Sequence, residues 1–369
     1  MYRVFKIFSF ILTITVFAFH PGLTALAQAK PGSPQPLKKC WEFGVGPAQT
    51  VEIAADNGVI YLASEDGKIT AIDAKTADVL WKSEIGGRVI STIAFSERHL
   101  LAASNPQGES DKDGGGTLLR AMSKTTGLID RTILMPHQDE LLLAQWKGIV
   151  LAAAKSGWLA GFQLDSGEKL WEQNFNSQLS ARPMFSDGAL AIGTSSDGVF
   201  LIDAETGKEL VAFNGDPRPT AIAALKTRQI VYGSSIGRMK KIDAENKPSR
   251  WKFRAGGQIS GIEPNGDRIL ISSYDNFIYM VSPRGSLDWK KRLPGRPSDN
   301  ILLTDGVGVV AISGDGEAVV FNPENGRTIN RVDFGENIIQ TAILAGSGKI
   351  IFLIPGKIYL YSSNGCSSK

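Results

Sequence analysis

The sequence predicts an all-β protein: an eight-bladed β-propeller with four-stranded antiparallel blades, whose ring is closed by the N-terminal strand. Three observations predict this fold. The chain repeats about every 40 residues, each repeat holds about four strand-like runs, and the last repeat stops one strand short. Repeats of this length are typical of propellers, in which each repeat forms one blade.

The first repeat shows the four strands in order. Its alternating or β-branched runs are "VEIA", "VIYLA", "KITAID" and "VLWKSEI", and the turns "DNG", "SEDG" and "DAKTA" separate them. Asp and Asn hydrogen-bond the backbone of such turns, and Gly accepts the positive φ that they often require. The pattern therefore predicts one antiparallel meander per repeat.

The repeats can be aligned on one position near the start of the last strand of each repeat. These residues are Trp81, Arg131, Trp171, Val211, Trp251, Trp289 and Asn330, at steps of 50, 40, 40, 40, 38 and 41. The long step contains an insertion, Asn105 to Gly116, whose Asp111 and Asp113 are too few ligands for a calcium loop of the EF-hand type. We expect this insertion to be a surface loop and a candidate for partner contact.

The two ends of the chain are expected to share one blade. A step of 40 back from Trp81 reaches Trp41, whereas the C-terminal runs "IIQTAILAG", "KIIFLIPG" and "KIYLYSSNG" lack a fourth strand. The strand of Trp41 supplies it. Joining the first and last blades in this way pairs strand edges that are otherwise exposed.

The only two cysteines, Cys40 and Cys366, lie at this junction. The repeat alignment places both at one edge of the closing blade, and an even pair in an exported protein favours a disulfide. The alternative is two free thiols.

Residues 1–27 are interpreted as a secretory signal peptide. Arg3 and Lys6 precede the apolar run Ile7 to Phe19, and small residues allow cleavage after Ala27 or Ala29. An uncleaved membrane anchor is the alternative, although the run is short for a span. A Pro-rich spacer (28–39) and the propeller (40–369) follow, with no expected transmembrane segment, and no cysteine near Ala27 that would accept a lipid. The expected location is periplasmic or secreted.

Charge and motifs exclude several functions. Removing Arg3 and Lys6 lowers the net charge from +3 to +1, so nucleic acid is not expected as a partner. Only His99 and His137 remain after the signal, so a zinc site is not expected. "GSSIG", Gly233 to Gly237, joins two strands instead of a strand and a helix, so it does not fit a hydrolase nucleophile elbow. We therefore predict no catalytic residue, metal site or cofactor.

Basic residues concentrate in the fifth and sixth repeats. We predict that they form a partner surface, suited to an acidic strand, lipid headgroups or a polyanion; an ordinary solvated face is the alternative. They are Arg238, Lys240, Lys241, Lys252, Arg254, Lys290, Lys291 and Arg292.

Two segments, "LASEDGKITAIDAKTADVLW" and "IGTSSDGVFLIDAETGKEL", resemble the pyrroloquinoline-quinone-type repeat. That repeat places Ala-Asp or Ile-Asp before Thr-Gly and then Trp. Blades two, seven and eight depart from it, since they lack the Trp or the Asp. The resemblance implies that the outer-strand tryptophans pack between neighbouring blades, here Trp41, Trp81, Trp171, Trp251 and Trp289.

The resemblance implies two kinds of function. Quinoprotein dehydrogenases carry the quinone and calcium on a propeller, but they look much longer than this chain and have an adjacent cysteine pair that it lacks. The BamB-like scaffold of the outer-membrane β-barrel assembly machinery is similar in size, export signal and repeat type. We therefore expect a monomeric, exported, non-enzymatic scaffold that binds envelope proteins, with β-strand addition at a blade edge as one binding mode. A quinone-dependent enzyme and a ligand-sensing propeller are the alternatives.

Overall fold

The computed structural model describes residues 35–46, 50–105, 116–136, 139–196, 198–213, 218–225, 229–243, 251, 253–344 and 347–366. All of them belong to one compact unit, Ser33–Lys369. The predicted signal peptide, the first part of the spacer, Asp111, Asp113, His137 and Lys252 lie outside the described residues.

The described residues form strands and no helix. The N-terminal strand is β1 (Lys38–Gly44). Blades 1 and 2 consist of β2 (Thr50–Asp56), β3 (Val59–Ser64), β4 (Lys68–Asp73), β5 (Val79–Glu84), β6 (Arg88–Val89), β7 (Ala94–Phe95), β8 (His99–Asn105), β9 (Thr117–Ser123) and β10 (Ile129–Met135). Blades 3 and 4 consist of β11 (Leu141–Trp146), β12 (Ile149–Ala154), β13 (Trp158–Gln163), β14 (Lys169–Asn174), β15 (Leu179–Ser186), β16 (Ala189–Thr194), β17 (Val199–Asp203) and β18 (Glu209–Phe213).

The second half of the chain continues the pattern. Blades 5 and 6 contain β19 (Pro219–Ala224), β20 (Gln229–Ser234), β21 (Met239–Asp243), β22 (Ile259–Asn265), β23 (Arg268–Ser273), β24 (Phe277–Val281) and β25 (Leu287–Arg292). Blades 7 and 8 contain β26 (Pro297–Thr304), β27 (Val307–Ile312), β28 (Glu317–Phe321), β29 (Thr328–Asp333), β30 (Gln340–Leu344), β31 (Lys349–Ile354) and β32 (Lys357–Ser362).

Each blade is an antiparallel meander of sequential strands, and the apolar residues between neighbouring blades form the core. Strands alternate side chains between the two faces of a sheet, so each blade can bury apolar residues against both neighbours. Ile60 and Leu62 of blade 1, for example, pack in one cluster with Ile351 and Leu353 of blade 8. The predicted eight-bladed propeller is confirmed.

The ring closes as predicted. β1 pairs antiparallel with β32, with Trp41 opposite Leu360, so the N-terminal strand is the outermost strand of blade 8. The predicted disulfide between Cys40 and Cys366 is present, with the sulfur atoms 2.05 Å apart.

The closing strand has a further attachment that the sequence did not indicate. The side chain of Asn330 in blade 7 accepts a hydrogen bond from the Leu37 N–H at 3.1 Å and donates one to the Leu37 carbonyl at 3.3 Å. Leu37 itself is buried. The closing strand and its contacts therefore extend before Cys40, into the predicted spacer.

Two blades depart from the regular pattern. In blade 2 the inner position is divided between β6 and β7, both of which pair with β8. In blade 5 only three strands are found among the described residues. The segment around Arg254 lies beside β21, joined by hydrogen bonds from the Met239 N–H to the Phe253 carbonyl at 3.1 Å and from the Ala255 N–H to the Gly237 carbonyl at 2.9 Å.

Candidate functional site

The tryptophans near the start of the outer strands tie neighbouring blades together. Each indole N–H donates to a backbone carbonyl in the next blade: Trp41 to Ala74 (3.1 Å), Trp81 to Lys124 (2.9 Å), Trp171 to Ala204 (3.0 Å), Trp251 to Pro283 (2.7 Å) and Trp289 to Pro323 (3.2 Å). In four of these turns a glycine follows, the exception being the turn of Ala74, and a Cβ on Gly207 would come within 2.5 Å of the Trp171 ring. These indoles therefore act as structural contacts and are not available to stack on a ligand.

Three seams, the interfaces between adjacent blades, lack this contact. Arg131 stands at the tryptophan position of blade 2, Val211 at that of blade 4, and Asn330, which bonds to Leu37, at that of blade 7. Val211 packs against blade 5 residues such as Ile222 and Ile242. A valine side chain has no N–H to donate, so the seam between blades 4 and 5 is held by apolar packing at this point.

A cavity of about 920 Å³ lies between the inner strands, and we call it the central channel. Its lining combines apolar residues with charged ones of both signs. The charged residues are Glu52, Arg88, Glu140, Lys155, Arg182 and Glu263.

Two carboxyl groups of the channel have raised pKa values. Burial raises the pKa of Glu52 to about 6, although the charge of Arg182 and a hydrogen bond with Gln340 act in the opposite direction. Burial raises the pKa of Glu263 to about 7. Carboxyl groups of this kind exchange protons near neutral pH, and they favour a ligand that is cationic or that donates hydrogen bonds.

A serine, a histidine and an aspartate meet on blade 2, which sequence reasoning missed because they are not in a known motif. Ser96 Oγ lies 3.4 Å from His99 Nδ1, and His99 Nε2 lies 3.1 Å from Asp130 Oδ2. The Ser96 hydroxyl also accepts the His99 backbone N–H at 2.9 Å. The serine thus belongs to the turn between β7 and β8, and the trio stabilises that turn.

The structure also describes the two patterns excluded above. Ser235 of "GSSIG" lies in the turn between β20 and β21, where its N–H donates to the Arg218 carbonyl at 2.9 Å. Among the described residues, no group of three acidic, histidine or cysteine side chains is placed to hold a metal ion. No described segment forms a helix with the length and apolar character needed to cross a bilayer.

The predicted basic residues that the structure describes lie on both faces of blades 5 and 6. Trp251 and Phe253 contact blade 6, and Met239 packs with them. Since side chains alternate along a strand, Arg238, Lys240 and Arg254 point to the opposite face, toward blade 4. Lys241 faces blade 6.

The basic residues of blade 6 divide in the same way. Lys290 lies over the Phe277 ring at 5.4 Å, on the side of blade 5, and Arg292 shares its face. Lys291 faces blade 7, where burial and the nearby charge of Arg331 lower its pKa. Lys241, Lys290 and Arg292 therefore face the seam between blades 5 and 6, whereas Arg238, Lys240 and Arg254 face the seam between blades 4 and 5.

A family model described as "Outer membrane protein assembly factor BamB" matches residues 37–145, 155–218 and 212–345. The chain belongs to this family. The resemblance noted in the repeats is thereby confirmed.

Several BamB proteins are similar at low identity. The protein of Salmonella typhimurium is 26% identical over 151 residues, which are 41% of this chain and 33% of that protein. The protein of Shewanella oneidensis is 23% identical over 214 residues, which are 50% of this chain and 53% of that protein. The chain thus spans about a third to a half of the length of these relatives.

Solved structures support the fold. BamB from Moraxella catarrhalis superimposes with a TM-score of 0.66 at 14% identity, covering 89% of this chain and 98% of that one. Quinohemoprotein alcohol dehydrogenase from Comamonas testosteroni superimposes with a TM-score of 0.65 at 12% identity, covering 90% of this chain and 77% of that one. At these identities the likeness concerns the fold alone, and the fold is shared by a BamB protein and an enzyme.

Proposed function

We propose that the chain is an exported, non-enzymatic propeller scaffold that binds proteins during the assembly of the outer membrane or envelope. The observation that carries this proposal is the family match across residues 37–345. The structure supports it with a closed, disulfide-linked ring that offers a rigid surface. We propose a periplasmic location, no cofactor, and a monomeric chain.

An in-cell cross-linking experiment tests the scaffold. The full chain carrying a C-terminal tag is expressed, cross-linked in growing cells and purified under denaturing conditions, and mass spectrometry identifies the adducts. We expect envelope proteins, with β-barrel assembly proteins enriched over an unrelated exported propeller used as the control. Recovery of the same proteins with the control, or of no protein, would contradict the proposal.

The same material tests export. Mass spectrometry of the N-terminus of the purified chain distinguishes cleavage after Ala27 from cleavage after Ala29. A chain that retains residues 1–27 and fractionates with the membrane would instead support the uncleaved anchor.

A second candidate function is ligand binding in the central channel, either for quinone-dependent catalysis or for sensing. The channel volume and the raised pKa values of Glu52 and Glu263 favour it. Pyrroloquinoline quinone is titrated into the purified chain with and without calcium and followed by its absorbance. If the chain is only a scaffold, no saturable change is expected. Calcium-dependent binding that is lost in Glu263→Gln would favour the second candidate.

A further inference from the structure

Arg238 and Arg254 are direct neighbours across two strands of blade 5. The flanking hydrogen bonds, Met239 N–H to Phe253 and Ala255 N–H to Gly237, identify them as a non-hydrogen-bonded pair. In such pairs the Cα atoms lie about 4.5 Å apart and the side chains are closest. Like charges in this position are destabilising, so the pair weakens the isolated blade.

The same end of blade 5 carries further positive charge. Lys240 lies two residues beyond Arg238 on the same face, and Arg218 is fixed by the hydrogen bond from Ser235 to its carbonyl. Arg218, Lys240 and both paired arginines are exposed. Among the described residues, no carboxylate forms an ion pair with Arg218, Arg238 or Arg254.

The carboxylate of Glu209 in blade 4 does not lie beside the two paired arginines. Glu209 pairs with Ile202, whereas Phe213, at the other end of the same strand, pairs with Val199. Val199 and Phe213 occupy in blade 4 the positions that Met239 and Phe253 occupy in blade 5, one residue from the arginine pair. The aromatic ring of Phe213, and not the acid of Glu209, therefore lies close to the level of the arginines.

Apolar surface adjoins the cations. Ile236, in the turn that leads to Arg238, is 40% exposed. Phe213 packs into the seam between blades 4 and 5 and remains half-buried. Guanidinium groups bind carboxylates with two parallel hydrogen bonds, and an adjacent apolar contact suits an aliphatic side chain.

We propose that this end of blade 5, formed by Arg218, Ile236, Arg238, Lys240 and Arg254, binds an acidic segment of a partner polypeptide. Carboxylates of the segment pair with Arg238 and Arg254, and an aliphatic side chain between them contacts Ile236. The proposal rests on the proposed function, since it names the chemistry of the partner segment that the scaffold holds. The bound carboxylates remove the repulsion between the two arginines.

A short fluorescein-labelled peptide of alternating glutamate and valine is the probe, and the same peptide with glutamine in place of glutamate is its control. Fluorescence anisotropy measures its binding to the full chain without the signal peptide. We expect binding of the glutamate peptide, weaker at high salt, and a loss of about tenfold in R238Q/R254Q. K82Q/R131Q, which removes two exposed charges from other blades, keeps the wild-type affinity.

The folding of each variant is checked by its urea unfolding curve. Equal binding by R238Q/R254Q, equal binding of the glutamine peptide, or no binding by the wild type would overturn the proposal. Binding of the wild type to phosphatidylglycerol vesicles but not to the peptide would also overturn it, in favour of a lipid surface.

Cross-linking from position 236 in cells separates this site from the general function. A photoreactive residue in place of Ile236 is expected to capture an envelope protein in the wild-type background and to lose it in R238Q/R254Q. If the tagged chain still captures assembly proteins but position 236 captures none, the scaffold function stands and this site does not.

Discussion

Blades 1 and 5 have the same backbone pairing at one repeat position, but blade 1 places opposite charges there and blade 5 places like charges. In blade 1 the cross-strand pair is Lys68 and Glu84, and Lys68 Nζ also lies 2.6 Å from Asp66. In blade 5 the equivalent pair is Arg238 and Arg254. The propeller repeat determines which residues face each other, but it does not determine whether their charges match. We therefore attribute the like-charge pair of blade 5 to an interaction with a molecule outside the blade.

The contrast extends to the seams and the channel. Both seams of blade 1 have an indole contact, from Trp41 and Trp81, whereas Val211 occupies that position between blades 4 and 5. In the channel, burial raises the pKa of both Glu52 of blade 1 and Glu263 of blade 6, but Glu52 also has Arg182 and Gln340 as favourable neighbours. At the charge pair, the seams and the channel carboxylate, blade 1 therefore has a favourable partner contact, whereas blades 5 and 6 have fewer such contacts.

The largest expected effect comes from the disulfide that attaches the closing strand to blade 8. Its residues are 326 positions apart, so removing it restores the entropy of a very long loop to the unfolded chain. We expect C40S/C366S to lose about 5 kcal/mol of unfolding free energy, a value from the chain-entropy model. Urea unfolding under non-reducing conditions measures it. If Asn330, Leu37 and Trp41 alone hold the strand, the loss will be far smaller, and thiol titration of the denatured wild type confirms that the bond is formed.

The second-largest expected effect is the difference in stability loss between a seam with an indole hydrogen bond and a seam without one. Trp81→Ala removes a buried ring and its hydrogen bond to Lys124, and we expect a loss of about 3–5 kcal/mol. Val211→Ala, at the equivalent position, removes two methyl groups and no hydrogen bond, so its cost is expected to be less than half of that. Urea unfolding of both variants at the same pH provides the test. Equal losses would show that the indole is not what distinguishes the seams.

The channel carboxylates give a pH-dependent effect. Because burial raises the folded-state pKa of Glu263 to about 7, from its ordinary value of 4.5, its ionised form destabilises the fold. The penalty grows as pH rises from the unfolded pKa to the folded pKa and is full above it. We expect Glu263→Gln to gain about 1–2 kcal/mol at about pH 8 relative to about pH 5. Glu52→Gln should show a smaller gain, since its pKa is about 6. A gain independent of pH would show that packing, not ionisation, is responsible.

The fold was largely predictable from the sequence because turn residues and the outer-strand tryptophans recur at a fixed period. Trp41, one period before Trp81, was enough to predict the closing strand and the disulfide partner of Cys366. The apolar alternation of each strand also indicated that both faces of a blade are buried.

The candidate site was predictable only in part, because charge counts along the chain do not show which face of a strand a side chain occupies. Lys290 and Lys291 are adjacent in sequence, but they face different blades. Arg218 was missed because a hydrogen bond from the turn of Ser235, 17 positions away, brings it to the site. The raised pKa values of Glu52 and Glu263 depend on burial among inner strands from many blades, which no local pattern reveals.

The smallest expected effect tests the charge contrast itself. Arg254→Glu gives blade 5 the opposite-charge pair of blade 1, and Glu84→Arg gives blade 1 the like-charge pair of blade 5. We expect the first to stabilise the fold by about 0.5 kcal/mol and the second to destabilise it, since exposed cross-strand pairs contribute little each. Both shifts should shrink at high salt. Thermal unfolding at two salt concentrations measures them. If Arg254→Glu is more stable than the wild type but no longer binds the acidic peptide, the like-charge pair favours binding and lowers the stability of the blade. If Arg254→Glu is no more stable than the wild type, the two arginines do not repel each other in the folded chain, and the electrostatic interpretation of blade 5 is wrong.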